Sequence, residues 1–326
     1  MSKYVLIGIA GVVSFMVILV TYLQRTALEP RVLQSNVLLL ESGSSLRDFA
    51  ELMVLISDLE SPMPIMTWVM ITGRSSSLKA GEYKVSTGDS VEDIVTHVVA
   101  GKVLEHSITF PEGFEFRDII NRLDTAKPLF REEGDLSLEL IKQAIGTDHE
   151  VLEGLFFPDT YHYIRSDTPV SILQRANKVL QVKLQDAWSG KDGGLLLKNS
   201  YELLVLASLI EMEAVVAHEK PKISGVFANR LRENMRLQTD PTVIYGLGDE
   251  FTGGLTREHL AKDTPYNTYR RNGLPPTPIS CPGWDSLFAA AHPEEHNLFY
   301  FVAKGDGTHY FSKTLKEHQE AVKTYR

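Results

Sequence analysis

Residues 4–23 read YVLIGIAGVVSFMVILVTYL, twenty positions without a charged side chain. At 1.5 Å per residue, a helix of that length spans about 30 Å, the thickness of a bilayer's hydrocarbon core. A cleaved export signal is the competing reading. Its apolar region would be shorter and small residues would follow it, whereas Tyr22, Leu23, Gln24 and Arg25 follow here. An uncleaved transmembrane anchor is therefore expected over residues 1–25. Lys3 on one side and Arg25 and Arg31 on the other nearly balance, so flanking charge leaves the orientation open. No second apolar run of that length follows, which places the rest of the 326-residue chain on one side of a membrane.

That remainder has the makings of packed domains. The whole chain is 43% hydrophobic and 23% charged, a balance that excludes wholesale disorder. Lys plus Arg number 33 against 42 Asp plus Glu, a net charge of −9, so the electrostatic footprint of a nucleic-acid binder is missing. The single cysteine, Cys281, rules out an intramolecular disulfide, a CxxC redox pair and a multi-cysteine zinc site.

After a tether at residues 26–36, three stretches share one local plan. They are LLLESGSSLRDFAELM (38–53), YKVSTGDSVEDIVTHV (83–98) and ITFPEGFEFRDIINRL (108–123). Each reads as a strand, a turn at Gly43, Gly88 or Gly113, and an amphipathic helix. In the second, Asp89 or Ser90 suits an N-cap and Glu92 or Asp93 the first turn. With a further helix over residues 64–71, the order strand, helix, helix, strand makes a small α+β module over residues 37–105. Tyr83, Val85, Gly88, Asp89 and Ser90 resemble the opening of a LysM module, a Y-x-V strand followed by a G-D-[ST] turn into a helix. That resemblance implies a glycan-holding role. Turn chemistry alone can produce the same residues.

Residues 125–199 are mostly helical in pattern. EGLFFPDTYHY (153–163) is dense in aromatics, which suit either a core or the face of a sugar ring. Residues 201–216, YELLVLASLIEMEAVV, are apolar nearly all round, as a buried helix requires. Glu211 interrupts that surface. A carboxyl there is either desolvated, and so kept protonated as a general acid at a glycosidic oxygen needs, or held in a buried ion pair or at a helix end. Glu213 lies about 200° further round the helix, so the two cannot share a face; one of them should meet solvent or a basic partner. The next helix is expected to start at Pro221, Asp240-Pro241 reads as another helix start, and residues 298–302 and 309–311 read as a hairpin around Gly305 and Gly307. H-P-E-E-H at 292–296 matches a zinc-site pattern in letters, but Pro293 puts His292 at a helix boundary and off the face that a metal would need. Phosphate-binding glycine loops and a G-x-S-x-G elbow are absent.

ASLIEMEAVV, FANRLRENMRLQTDPTVIYGLG, YNTYRRNGLPPTPISCPG and SLFAAAHP follow one another in this order, preceded by LKAGEYKV and FPDTYHY. On these motifs the chain resembles the MltG-type endolytic murein transglycosylases of the YceG-like family, from about Leu78 to the C-terminus and at the anchor. The resemblance implies cleavage of β-1,4 bonds between N-acetylmuramic acid and N-acetylglucosamine within glycan strands, leaving 1,6-anhydro ends. The first Glu of E-x-E in that family implies Glu211 as general acid/base, although Glu211-Met212-Glu213-Ala214 stands where E-K-E-T is usual. The substrate's own C6 hydroxyl would be the nucleophile, so no metal or organic cofactor is implied. Gln238, Asp240, Tyr245, Asn267 and Tyr269, in loops after that helix, are expected to line the sugar cleft.

The expected fold class is thus α+β: an N-terminal transmembrane helix, a small LysM-like α+β module, and a larger mixed α+β catalytic domain over residues 106–326. Expected partners are peptidoglycan strands, the cytoplasmic membrane through the anchor, and the cell-wall synthesis machinery. The catalytic part is expected on the periplasmic or exocellular side. A non-catalytic peptidoglycan-binding scaffold is the alternative.

Overall fold

The structure, a computed structural model, describes residues 3–129 and 136–325. The chain divides into two compact units near residue 106, with short segments around residues 128 and 164 grouping with the first unit.

The first unit opens with α1 (Lys3–Leu28), continues through β1 (Val37–Leu40), α2 (Leu46–Ile56), α3 (Met63–Ile71) and β2 (Gly81–Lys84), and ends with α4 (Val91–Ala100). Among the described residues, α1 is the one helix long and apolar enough to cross a membrane. From Tyr4 to Tyr22 its side chains are exposed, while Leu23, Thr26 and Ala27 are buried on the module through packing against α3 and α4. The expected tether at residues 26–36 is not a free linker. The Arg31 guanidinium closes the end of α1 on the carbonyls of Arg25 and Thr26 (2.9 and 2.6 Å). Beyond it, Gly88 N–H donates to the Arg31 carbonyl and Gln34 N–H to that of Ile56. These bonds satisfy backbone groups that a free linker would leave to water.

The three repeated stretches fold alike for one reason. Gly43, Gly88 and Gly113 take φ of +85°, +108° and +79°, which side chains with a Cβ resist. Each turn is followed within three residues by a reciprocal capping box: Ser45 with Asp48, Ser90 with Asp93, and Glu115 with Asp118. β1 and β2 pair antiparallel from Val37↔Lys84 to Leu40↔Gly81, and Leu38, Phe49, Ile65, Tyr83 and Val95 fill the core beneath them. The residues that carry the LysM resemblance have structural work. Tyr83 is fully buried with its hydroxyl on the Lys79 carbonyl, Asp89 accepts from Ser86 N–H, and Ser90 is the N-cap. Tyr83 also stands on the second strand of its pair, where the resemblance would have it open the module.

The second unit contains α5 (Phe116–Thr125), α6 (Leu138–Ile145), α7 (Pro169–Gly190), α8 (Ser200–Glu213), α9 (Lys220–Arg232), α10 (Asp240–Leu247), α11 (Arg257–Ala261), α12 (Trp284–Ala291) and α13 (Leu315–Tyr325). Short strands β3 (His106–Thr109) and β4 (Thr160–Tyr163) lie where the chain passes between units, and β5 (Tyr300–Ala303) and β6 (His309–Ser312) form the expected hairpin. α8 is buried from Leu203 to Ile210, and α7, α9, α10 and α12 pack on it. Even the polar Ser208 is enclosed: it accepts Ile279 N–H at 3.1 Å, while its carbonyl accepts the Ser280 hydroxyl. The aromatics of residues 153–163 are core, with Phe156 stacked on Phe116 and Tyr161 tilted against Phe110.

Ser90→Ala removes one half of the α4 capping box. It should lower the stability of the first unit by about 1 kcal/mol, read as a lower urea midpoint at an unchanged slope. An unchanged midpoint would show that the cap contributes nothing.

Candidate active site

The two glutamates of E-M-E end α8 in opposite surroundings. Glu211 is almost wholly enclosed, with 7% of its side chain exposed. Its oxygens receive Lys220 Nζ at 3.1 and 3.2 Å, Gly283 N–H at 2.9 Å and the Ser286 hydroxyl at 2.7 Å. Gly283 is the N-cap residue of α12 and Ser286 lies in its first turn, so the carboxylate sits on the positive end of that helix. Lys220, 6% exposed, opens α9. Glu112 approaches the same lysine at 3.9 Å. Gly113 N–H donates to the Cys281 carbonyl and Cys281 N–H to that of Phe114, which holds Glu112 over Gly283 so closely that a Cβ there would overlap its carboxylate.

A lone carboxylate on an apolar helix has been matched by a buried cation and two neutral donors, as burial of a charge demands. Of the two environments that the sequence left open, the ion pair is the one found.

Glu213 faces elsewhere. It accepts the Thr239 hydroxyl and lines a cavity of about 270 Å³ with Arg230, Gln238, Asp240, Tyr269, Tyr300 and His309. Three of the five residues expected in a sugar cleft are therefore gathered beside Glu213. Tyr269 donates its hydroxyl to Asp240 at 2.5 Å. Gln238 holds φ of +50°, a strained setting for a residue with a Cβ, at the rim of the cavity. Leu315 and Val322 add an apolar wall.

The other two expected residues do not line this cavity. Asn267 is buried as a loop brace: its amide donates to the carbonyls of Leu260 and Lys262 (3.1 and 2.6 Å), and its carbonyl oxygen accepts Tyr269 N–H. Tyr245 turns to Glu153, donating its hydroxyl at 3.3 Å, with Tyr266 edge-on to its ring. Glu153 also accepts Phe116 and Gly154 N–H, and burial pushes its carboxyl up to about 7 against those hydrogen bonds.

Arg230 went unnoticed in the sequence. Its guanidinium donates to the carbonyls of Phe299 (2.6 Å) and Leu237 (2.7 Å) and packs on the Tyr300 ring, tying α9 to the hairpin and to the loop that carries Gln238. A polar side chain one turn beyond Phe227 on an otherwise apolar helix face was the available signal. The H-P-E-E-H letters do not converge. His292 ends α12 and meets Asp192, whereas His296 bonds to the Lys222 carbonyl. A separate cavity of about 350 Å³, lined by Leu195, Gly225, Arg232 and Glu294 among others, includes neither Glu211 nor Glu213.

Comparison with known proteins places these features in context. The model of the YceG-like family matches residues 38–324. A Bacillus subtilis protein named endolytic murein transglycosylase is 31% identical over 304 residues, covering 87% of this chain and 83% of that one. A Streptococcus pneumoniae protein of the same name is 28% identical over 280 residues, and the match covers 76% of this chain but half of that longer one. The crystal structure of a putative yceG-like protein from Listeria monocytogenes superposes with a TM-score of 0.57 at 30% identity, covering 90% of this chain and 99% of that one.

Two outcomes follow from the charges. Glu211→Gln leaves the buried Lys220 without its carboxylate and should cost about 3 kcal/mol of stability, seen as a lower melting temperature; a loss below about 1 kcal/mol would show the pair to be dispensable. Glu153 binds its proton more tightly folded (about 7) than at its ordinary value of 4.5, so the folded state holds a proton that the unfolded state has released between those pH values. Its contribution to stability should fall as pH rises through that window, by about 3 kcal/mol in all. Glu153→Gln should remove that slope from the pH dependence of urea unfolding, and an unchanged slope would refute it.

Proposed function

The chain belongs to the YceG-like family, and from that premise we propose that it is an endolytic murein transglycosylase working at the end of α8, with Glu211 as its acid and the neighbouring cavity holding the sugar chain. The observation that carries this reading is the contrast between the two glutamates. Glu211, the first Glu of E-x-E, is held in one orientation by Lys220, Gly283 and Ser286, while Glu213 lines a cavity with Gln238, Asp240 and Tyr269.

The chemistry needs one such acid. Glu211 donates its proton to the glycosidic oxygen as the bond to the anomeric carbon breaks and, once ionised, takes the proton of the attacking hydroxyl. The C6 hydroxyl of the same N-acetylmuramic acid ring closes on that carbon and gives the 1,6-anhydro end. Asp240 and Tyr269, bonded to each other, and the strained Gln238 offer acceptors and donors to ring hydroxyls and N-acetyl groups, and Tyr300 offers an aromatic face. Lys220, Gly283 and Ser286 act as positioning groups, holding the Glu211 carboxylate where α8, α9 and α12 meet.

Placement at the membrane is part of the same proposal. The apolar, exposed length of α1 anchors the chain in the cytoplasmic membrane, and the second unit faces the side where peptidoglycan lies. On that side the chain works among the proteins of cell-wall synthesis. The first unit would help to hold glycan.

Purified full-length protein should convert isolated glycan strands to products with anhydro ends, read by mass. Glu211→Gln should abolish them while leaving glycan binding in place. Full activity in Glu211→Gln would overturn the assignment. Intact membranes washed with alkaline carbonate should retain the chain, and release into the wash would refute the anchor.

A further inference from the structure

A second carboxyl reaches the cation that Glu211 holds. Glu112 sits in the loop before α5, with its Oε2 3.9 Å from Lys220 Nζ. Its side chain is 53% exposed, against 7% for Glu211 and 6% for the lysine between them. Of the two carboxyls on one buried ammonium, Glu112 is therefore the open one. The loop that carries it is fixed by Gly113 N–H on the Cys281 carbonyl (2.9 Å) and Cys281 N–H on that of Phe114 (2.8 Å). Gly283 has φ of −76°, which any residue adopts, so backbone conformation does not call for glycine there. A Cβ at Gly283 would instead push the Glu112 carboxyl aside. Burial first, and then the charge of Glu211, hold the Glu112 carboxyl above its ordinary value; Lys220 opposes this and Asp285 adds to it. A surface ion pair would account for the distance to Lys220. It would not call for a carboxyl packed over the same helix start that binds Glu211.

Two carboxylates and one ammonium carry a net charge of −1. One added proton makes the three groups neutral, with Lys220 on one carboxyl and the proton on the other. The bonds to Glu211 show where that proton can sit. Gly283 N–H and the Ser286 hydroxyl both meet Oε2, which leaves Oε1 to carry it once Lys220 turns away. We propose that Glu112 is a positioning residue of the reaction, competing with Glu211 for Lys220 so that Glu211 can carry the proton it donates. This rests on Glu211 being the acid of the site. In the step, Glu211 gives its proton to the leaving oxygen as that oxygen parts from the anomeric carbon and the C6 oxygen bonds to the same carbon. The C6 hydroxyl proton then passes to Glu211, and Glu112 neither gains nor loses one. The charged groups that act on Glu112 are Glu211 on α8, Lys220 on α9 and Asp285 on α12.

The test is the pH dependence of kcat for the full chain on isolated glycan strands, with anhydro ends read by mass. Glu112→Gln keeps the size and removes the charge at a half-exposed position, so the melting temperature should stay near that of the parent. Lys220 then belongs to Glu211 alone, the proton leaves more readily, and the alkaline limb should move to lower pH by about one pH unit. On that limb kcat should fall about tenfold, with KM little changed, while the rates converge at lower pH. Glu112→Asp keeps the charge and should return the limb towards the parental pH. A structural role alone would lower kcat equally at every pH. A parental limb in Glu112→Gln would overturn the proposal, and so would a limb in Glu112→Asp no nearer the parental one than that of Glu112→Gln. Full activity in Glu211→Gln sinks the reading of the acid itself; an inactive Glu211→Gln beside a parental limb in Glu112→Gln sinks the role of Glu112 alone.

Discussion

The Glu211 carboxylate ties together three helices. It leaves the end of α8, takes the ammonium of Lys220 at the start of α9, and accepts the Gly283 N–H and Ser286 hydroxyl that open α12. Two helix starts and one helix end meet at one pair of oxygens. Helix termini leave orphan donors, and a carboxylate at an N-terminus satisfies them while it answers the helix dipole. Such a charge is costly to bury alone and tolerable when every lone pair is used. Because the end of α8 is pinned there, Glu213, two residues further on, is delivered to the cleft in one orientation.

The cleft depends on a second buried charge in the same way. Arg230 spends its donors on backbone carbonyls at 237 and 299, so the loop that carries Gln238 and the hairpin that carries His309 are held to one side chain. Burial holds that guanidinium below its ordinary value while leaving it charged, and its bonds to carbonyls are those of a strut. Acidic, amide, phenolic and imidazole groups then face one small volume. Their partners are assigned in pairs, Glu213 with Thr239, Tyr269 with Asp240 and His309 with Glu219. Pairing of that kind orients polar groups before a substrate arrives, which is where binding and catalysis gain most from a rigid site.

Much of the local architecture was legible because it is set by short-range chemistry. The strand–glycine–cap–helix plan of the three stretches, the buried run of α8, the hairpin around Gly305 and Gly307, and the boundary at His292 all follow from spacing, caps and breakers within about ten residues. The motif loops were legible as a group, and Gln238, Asp240 and Tyr269 do gather. Asn267 and Tyr245 did not join them, since an amide and a phenol suit a loop brace or a buried carboxylate as well as they suit a sugar. The supposed tether failed for a similar reason: Arg31 has carbonyls to cap only because α1 extends to Leu28.

The sequence by itself determined that one carboxylate lay in an apolar helix and that its neighbour two positions on must face elsewhere, because helical geometry separates such positions by more than half a turn. Which of the two met a cation and which met a cavity was decided only by tertiary structure. Lys220 is nine residues from Glu211 and within reach of ordinary guesswork, but Gly283 and Ser286 are more than seventy residues away. His309 reaches Glu219 across ninety residues. The partner that fixes a charge's role is chosen by packing, and packing brings together residues that no local pattern connects.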